Sequence, residues 1–360
     1  MTLLEKTDAF WKWFVENRPA LERLADCPGE RDPQEAAAFV EQGVRLLSPD
    51  LRYTFGGRRQ FSFSAGGQEP LFYLLPYVVS RKPGSLSDWR FHPFVSGSGG
   101  ASFDFLIYNT RCSTDQISLA LRFDPDSASF QLEFYHPALW ELDPPRQMSA
   151  FYAMMDLTIG ESLSWLFIDG AQPLESPTDN MFPLSQLEAR MREALQAMNL
   201  PLPNRPDERC VRYGFRPRKS IFPRFDVFEG TTCYTGLLND YYGGKTEQFD
   251  ALQAYGARAC YLSYPRDPAL DAGQARQMRY ELENVLQQAL GPKGSGLETG
   301  VVLGGALGRE RCYIDLLLYH EPGFASLTQD ALAGYPYFFS LADFCLLSPP
   351  APLLSGPRFN

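Results

Sequence analysis

Four short apolar runs follow one another between Trp89 and Trp140: WRFHPFVS, FDFLIYN, ISLALRFD and FQLEFYHPALW. Each is rich in aromatic and branched side chains, and turn-forming stretches such as GSGGA and DPDSA separate them. Consecutive short runs joined by tight turns are what an antiparallel sheet needs, because parallel strands require long crossovers. This series therefore predicts a sheet of several strands in the first half of the chain. LRYTFGGRRQFSFSA, alternating on both sides of Gly56-Gly57, adds a hairpin.

Elsewhere the hydrophobic period is helical. DAFWKWFVENRPALERLA opens the chain, with Asp8 as its expected N-cap and Pro19 as the residue that kinks or splits it. PQEAAAFVEQGVRLLS starts with Pro33 in its first turn, where proline is tolerated. EPLFYLLPYVVSRKPG, PRQMSAFYAMMDLTIGESLSWLF and PLSQLEARMREALQAM follow. The second half reads as the strand RFDVFEG, the helix TTCYTGLLNDYYGG, the strand ARACYLSYP and the helix DAGQARQMRYELENVLQQALG. Two strands around Gly304 to Gly308, the helix SLTQDALAGY and a last strand in YFFSLADFCLL complete it.

The expected class is α+β, with two mixed domains, each a largely antiparallel sheet with helices packed on one face. Prolines and the loss of periodicity after Leu200 place the boundary. The expected parts are a domain over 1–200, a Pro/Arg-rich linker and entry segment over 201–224, and a domain over 225–360.

A net charge of −10 argues against a general nucleic-acid binder, which needs a basic face. No run of about 18 apolar residues is present, and the amino terminus lacks a signal-peptide pattern. The seven cysteines are odd in number, widely spaced and without a C-x-x-C. They match neither a disulfide framework nor a zinc site, so a reducing, cytoplasmic home is expected. No cofactor motif is present: LGGALGRE carries Gly304, Gly305 and Gly308 but runs into a strand, so a turn or bulge explains it better than a phosphate loop.

Two kinds of residue remain as candidates for chemistry. Cys233 stands where the strand RFDVFEG meets a helix, a place where a thiol can be activated, and His320 at the end of YIDLLLYH is its candidate base. The bland alternative is a cysteine packed beneath a helix that Thr231 or Thr232 caps. Asp226 and Glu229 on the same strand are candidate acids or bases. Asp315 and Glu133 sit among apolar neighbours and are read as shifted acids or bases, as halves of structural ion pairs with Arg224 or Arg311 as the partner, or as residues on strands with a wet face. Separately, seven basic residues cluster from Arg205 to Arg224. Arg216, Arg218, Lys219 and Arg224 within it form a candidate docking strip, against the alternative of a solvated linker.

FWKWFVENRPALERL, LSPDLRYTFGG, DLTIGESLSWLFID, RFDVFEGTTCYTGLLNDYYGG and GALGRERCYIDLLLYH together resemble uncharacterised bacterial proteins with domains of unknown function. The resemblance implies an accessory, regulatory or immunity-type protein and no catalytic residues. The leading expectation is a non-enzymatic binding protein acting by protein–protein contact, with a basic partner drawn by the acidic surface. The alternatives are a thiol- or carboxylate-based hydrolase using the Cys233 region, and a small-molecule sensor with an aromatic pocket between the halves.

Overall fold

The structure, a computed structural model, describes residues 1–27, 32–125, 127–203, 205–346 and 351–352. Three helices open the chain, α1 (Leu3–Glu16), α2 (Arg18–Asp26) and α3 (Pro33–Val44). A hairpin of β1 (Arg52–Gly56) and β2 (Gln60–Ser64) leads to α4 (Glu69–Ser80). Strands β3 (Arg90–His92), β4 (Asp104–Ile107), β5 (Thr110–Ser113), β6 (Ser118–Asp124) and β7 (Ser129–Tyr135) follow. Then come α5 (Pro137–Trp140), α6 (Pro144–Ile159), α7 (Glu161–Phe167), β8 (Ile168–Pro173), β9 (Phe182–Pro183) and α8 (Leu187–Ala197). The next stretch runs β10 (Val211–Gly214), β11 (Val227–Thr232), α9 (Thr235–Gly243), α10 (Glu247–Tyr255) and β12 (Arg258–Pro265). It closes with α11 (Ala272–Leu290), β13 (Gly300–Gly308), β14 (Arg311–Leu318), α12 (Phe324–Leu332), β15 (Ser340–Asp343) and β16 (Ala351–Pro352). The class is α+β, as expected.

Contacts gather the chain into two compact units that are discontinuous in sequence. One holds Met1–Leu51, Gln68–Asp88 and Asp207–Asn360; the other holds Arg52–Gly67 and Trp89–Pro206. The opening helices and α4 thus group with the C-terminal half, which a division at 201–224 does not capture. Helix α4 has a physical reason to do so: every residue from Pro70 to Val78 is buried, and a helix apolar all round needs cover on every side. Helix α1 starts earlier than Asp8. Thr2 Oγ1 accepts from the Glu5 N–H at 3.3 Å and Glu5 Oε2 accepts from the Thr2 N–H at 2.9 Å, a complete capping box. Asp8 instead pairs with Arg81 at 2.9 Å. The break before Pro19 is present, with the proline in the first turn of α2.

In the second unit the strand series is distributed over three sheets rather than one: β1-β2-β3, β4-β5 and β8-β7-β6-β9. Strands β6 and β7 pair antiparallel, while β8 joins β7 in parallel. Their core face packs on α6, with Phe134 stacked on Phe151 at 3.9 Å. The long helix expected over this region breaks at Gly160, whose φ of 88° favours glycine.

The first unit is built on a seven-stranded sheet of order β10-β11-β13-β14-β12-β15-β16, antiparallel throughout. Strand β13 is buried along its whole length and β14 along all but Arg311, so this sheet is covered on both faces, not on one. Leu282, Leu286 and Leu290 of α11 pack with Cys260, Leu262, Ile314 and Leu316 on one side. On the other, Tyr77 of α4 stacks on Tyr319 at 4.1 Å and Tyr241 of α9 meets Tyr261 edge-on at 6.2 Å. Burying each large apolar side chain contributes about 1.5–3 kcal/mol. Among the described residues no helix is long and apolar enough to cross a membrane.

Candidate binding surface

Strand β10 lies at the edge of the seven-stranded sheet, and the chain leaves it through the segment from Phe215 to Pro223 before re-entering at β11. What fixes this segment is Arg224. Its side chain is 0% exposed, and its guanidinium grips the Asp315 carboxylate with Nη1 on Oδ1 and Nη2 3.0 Å from Oδ2. The rings of Tyr261, Tyr313 and Phe344 surround it, their centroids 5.2, 5.2 and 4.7 Å from Cζ. The backbone around it is held as well. The Arg224 N–H donates to the Tyr313 hydroxyl at 3.0 Å, while the hydroxyls of Tyr242 and Tyr241 donate to the carbonyls of Arg224 and Pro223, each at 2.9 Å. Arg224 has a φ of 69°, an unusual value for a non-glycine residue, and these contacts hold it there.

The sequence placed Arg224 in a docking strip and also offered it, with Arg311, as a partner for a buried carboxylate. The second role is the one it fills, and a buried side chain cannot serve as a docking contact. The other three members behave differently. Arg216, Arg218 and Lys219 are exposed, and among the described residues none forms an ion pair. Arg212 on β10 is likewise exposed and unpaired among them. Apolar groups interleave with these cations: Phe215 is 40% exposed, Phe222 43% and Ile221 94%. The rings form a connected row, from Tyr213 to Phe215 (5.3 Å), Phe215 to Tyr242 (4.4 Å), Tyr242 to Phe225 (5.6 Å) and Phe225 to Phe222 (6.3 Å). Arg218 Cζ lies 5.3 Å from the centroid of Phe225. The surface is therefore a basic and aromatic strip, pinned at one end by a strand and at the other by a buried ion pair.

Beside it, a cavity of about 240 Å³ is lined by Arg212, Tyr213, Glu229, Thr231, Arg276, Arg279 and Tyr280, among others. Glu229 accepts from Arg276 at 2.6 Å, so this candidate acid is one half of an ion pair. Arg279, 2% exposed, bonds Glu283 one helical turn on and reaches Thr231 Oγ1 at 3.4 Å. Burial outweighs that pairing and pushes the Glu283 carboxyl up to about 7. The remaining candidates are separated. Asp226 closes the β13–β14 hairpin: Oδ2 accepts the N–H groups of Glu310 and Arg311 at 3.0 and 3.2 Å, and Oδ1 accepts the Tyr313 hydroxyl at 2.7 Å.

Cys233 and His320 do not form a dyad. The Cys233 N–H donates to the Leu303 carbonyl, while the His320 N–H donates to that of Thr299, four residues away. At the strand rise of about 3.3 Å per residue, that is roughly 13 Å along the sheet. The His320 Nδ1 faces Thr2 Oγ1 at 3.4 Å. Cys233 is buried and precedes α9, which starts at Thr235. The neighbouring Cys210 thiolate, toward which Cys233 keeps its proton, and then burial push its thiol well above the ordinary range, the opposite of an activated nucleophile. Trp11 and Tyr241 are core residues at 3% and 1% exposure.

Sequence reasoning passed over Cys210, Arg279 and Glu283. Cys210 sits at the end of an aperiodic proline-rich stretch, and only the short alternation of VRYG hints that a strand begins next to it. Arg279 and Glu283 are spaced four apart on an amphipathic helix, a pattern that ordinarily marks a solvated face. No family model, no curated protein and no solved structure matches this chain.

Proposed function

We propose that this chain is a non-enzymatic binding protein of regulatory or immunity type. Its contact surface is the strip from Arg212 to Phe222, and its partner is a protein that presents an acidic, extended segment with interleaved apolar side chains. One observation carries this reading: Arg212, Arg216, Arg218 and Lys219 stand exposed, without ion pairs among the described residues, in a chain of net charge −10, beside Phe215, Ile221 and Phe222. Unpaired cations kept together against the overall charge favour an acidic ligand, and exposed aromatics add the apolar part of an interface. This turns the expected partner from basic to acidic. Because β10 is an edge strand, an extended segment can add to it through main-chain hydrogen bonds. The buried, unactivated Cys233 supports no thiol hydrolase. Seven widely spaced cysteines without a C-x-x-C fit a reducing compartment, the cytoplasm in this reading.

The test is a fluorescence-anisotropy titration with a labelled peptide of alternating glutamate and leucine. Saturable binding that weakens steeply with added salt, and is absent for an alternating serine and leucine peptide, is expected. Equal binding of both peptides would remove the electrostatic reading.

A further inference from the structure

The antiparallel register of β10 and β11 sets Val211 against Thr232. One residue beyond that pair stand Cys210 on one side and Cys233 on the other. Directly opposed residues in such a ladder have Cα atoms about 4.5–5.5 Å apart. A disulfide spans Cα separations of about 4.4–6.8 Å, and the register carried one residue past the end of the ladder sets the two cysteines opposite each other. Each thiol shifts the titration of the other, that of Cys210 downward and that of Cys233 upward. Cys233 is held from both sides of its backbone, its N–H donating to the Leu303 carbonyl at 2.8 Å and its carbonyl accepting from the Tyr73 hydroxyl at 2.5 Å. Cys210 is exposed, whereas Cys233 is buried beneath it. Cys112, Cys260, Cys312 and Cys345 are also buried, which leaves Cys27 as the other exposed thiol.

One accessible thiol over one inaccessible thiol is the arrangement of an attacking and a resolving cysteine. We propose that Cys210 and Cys233 are a redox pair that closes to a reversible disulfide when a hydroperoxide reaches Cys210. The Cys210 thiolate attacks one peroxide oxygen; the S–O bond forms, the O–O bond breaks, and hydroxide leaves and is protonated to water. The product is a sulfenic acid. The Cys233 sulfur then attacks the Cys210 sulfur, the S–S bond forms as the S–O bond breaks, and the departing hydroxide takes the Cys233 proton as a second water. Two thiols are oxidised and one hydrogen peroxide is reduced to two waters. A cellular dithiol reverses the step by exchange.

The electrostatics agree with this division of roles. The neighbouring Cys233 thiol pulls the Cys210 thiol down to about 7, with Lys293 and Arg279 adding to it against burial and Asp207. Relative to an ordinary exposed thiol, the larger thiolate fraction is partly offset by lower nucleophilicity, for a net gain of roughly threefold in rate at neutral pH. The pair stands independently of the binding surface, since it needs no partner.

The reduced full-length protein is exposed to limiting hydrogen peroxide, its remaining thiols are alkylated, and peptides are mapped without reduction. A Cys210–Cys233 crosslink that dithiothreitol removes is expected, while Cys27 stays largely a thiol. In Cys233→Ser, oxidation is expected to stop at a Cys210 sulfenic acid that dimedone traps. In Cys210→Ser, a surface change that leaves the core intact, Cys233 should remain reduced. No crosslink in the wild type, Cys27 oxidised before Cys210, or Cys233 oxidised as readily in Cys210→Ser would overturn the proposal.

Discussion

Arg224 and Asp315 meet out of solvent, at 0% and 2% side-chain exposure, with Nη2 3.0 Å from Oδ2. Such a pair adds little net stability over an apolar replacement of the same shape, yet removing one partner strands the other charge. Asp315→Ala is expected to destabilise the protein by about 3–5 kcal/mol in urea unfolding. The double change Arg224→Met, Asp315→Leu should recover most of that loss. If Asp315→Ala unfolded at the wild-type denaturant midpoint, the pair would not be the anchor described.

Glu283 predicts a pH dependence with a definite sign. Burial raises its carboxyl from an ordinary 4.5 to about 7 in the folded protein, so the folded state holds the proton more tightly than the unfolded chain. The stability from this group is complete below about 4.5 and is lost as pH rises through about 7. Glu283→Gln should flatten that part of the curve between pH 5 and pH 8, measured by denaturant midpoints. An unchanged slope would contradict the assignment.

Gly304 is where β13 departs from regular pairing with β14, with a register shift between Val302 and Gly304. Its φ is 135°, and a Cβ there would lie 2.2 Å from the Thr231 carbonyl oxygen. Gly304→Ala is expected to lower stability by about 2 kcal/mol or more, since both backbone strain and a backbone clash act against it. Thermal melting measures this directly, and Gly57→Ala, which meets nothing within 4 Å, is the matched control.

Alkylation of the native protein separates the two readings of Cys233. Iodoacetamide near neutral pH should label Cys210 and Cys27 and leave Cys233 untouched until the protein unfolds. Replacing His320 with Ala should leave that pattern unchanged. Fast labelling of Cys233 would restore the nucleophile reading.

Much of this fold was legible where periodicity is strong and local. The hairpin at Gly56-Gly57, the split before Pro19 and the bulge in the glycine run of β13 each follow from the backbone demands of glycine or proline. Less legible were features that depend on distant partners. Strand β10 is four residues long, and its pairing with β11 rests on the sheet rather than on its own pattern. The opening helices carry no sign that they belong with residues beyond 207. At the site, the basic run was visible as composition. What separates Arg224 from Arg216, Arg218 and Lys219 is the carboxylate of Asp315, 91 positions away.

The central claim is that Arg216, Arg218 and Lys219 read an acidic segment by charge. Its most direct test is a charge exchange in the anisotropy titration. The triple variant Arg216→Glu, Arg218→Glu, Lys219→Glu should bind the alternating glutamate and leucine peptide at least about tenfold more weakly, from three exposed pairs of roughly 0.5 kcal/mol each. The same variant should gain affinity for an alternating lysine and leucine peptide. Unchanged affinity for the acidic peptide, with no gain for the basic one, would contradict the account.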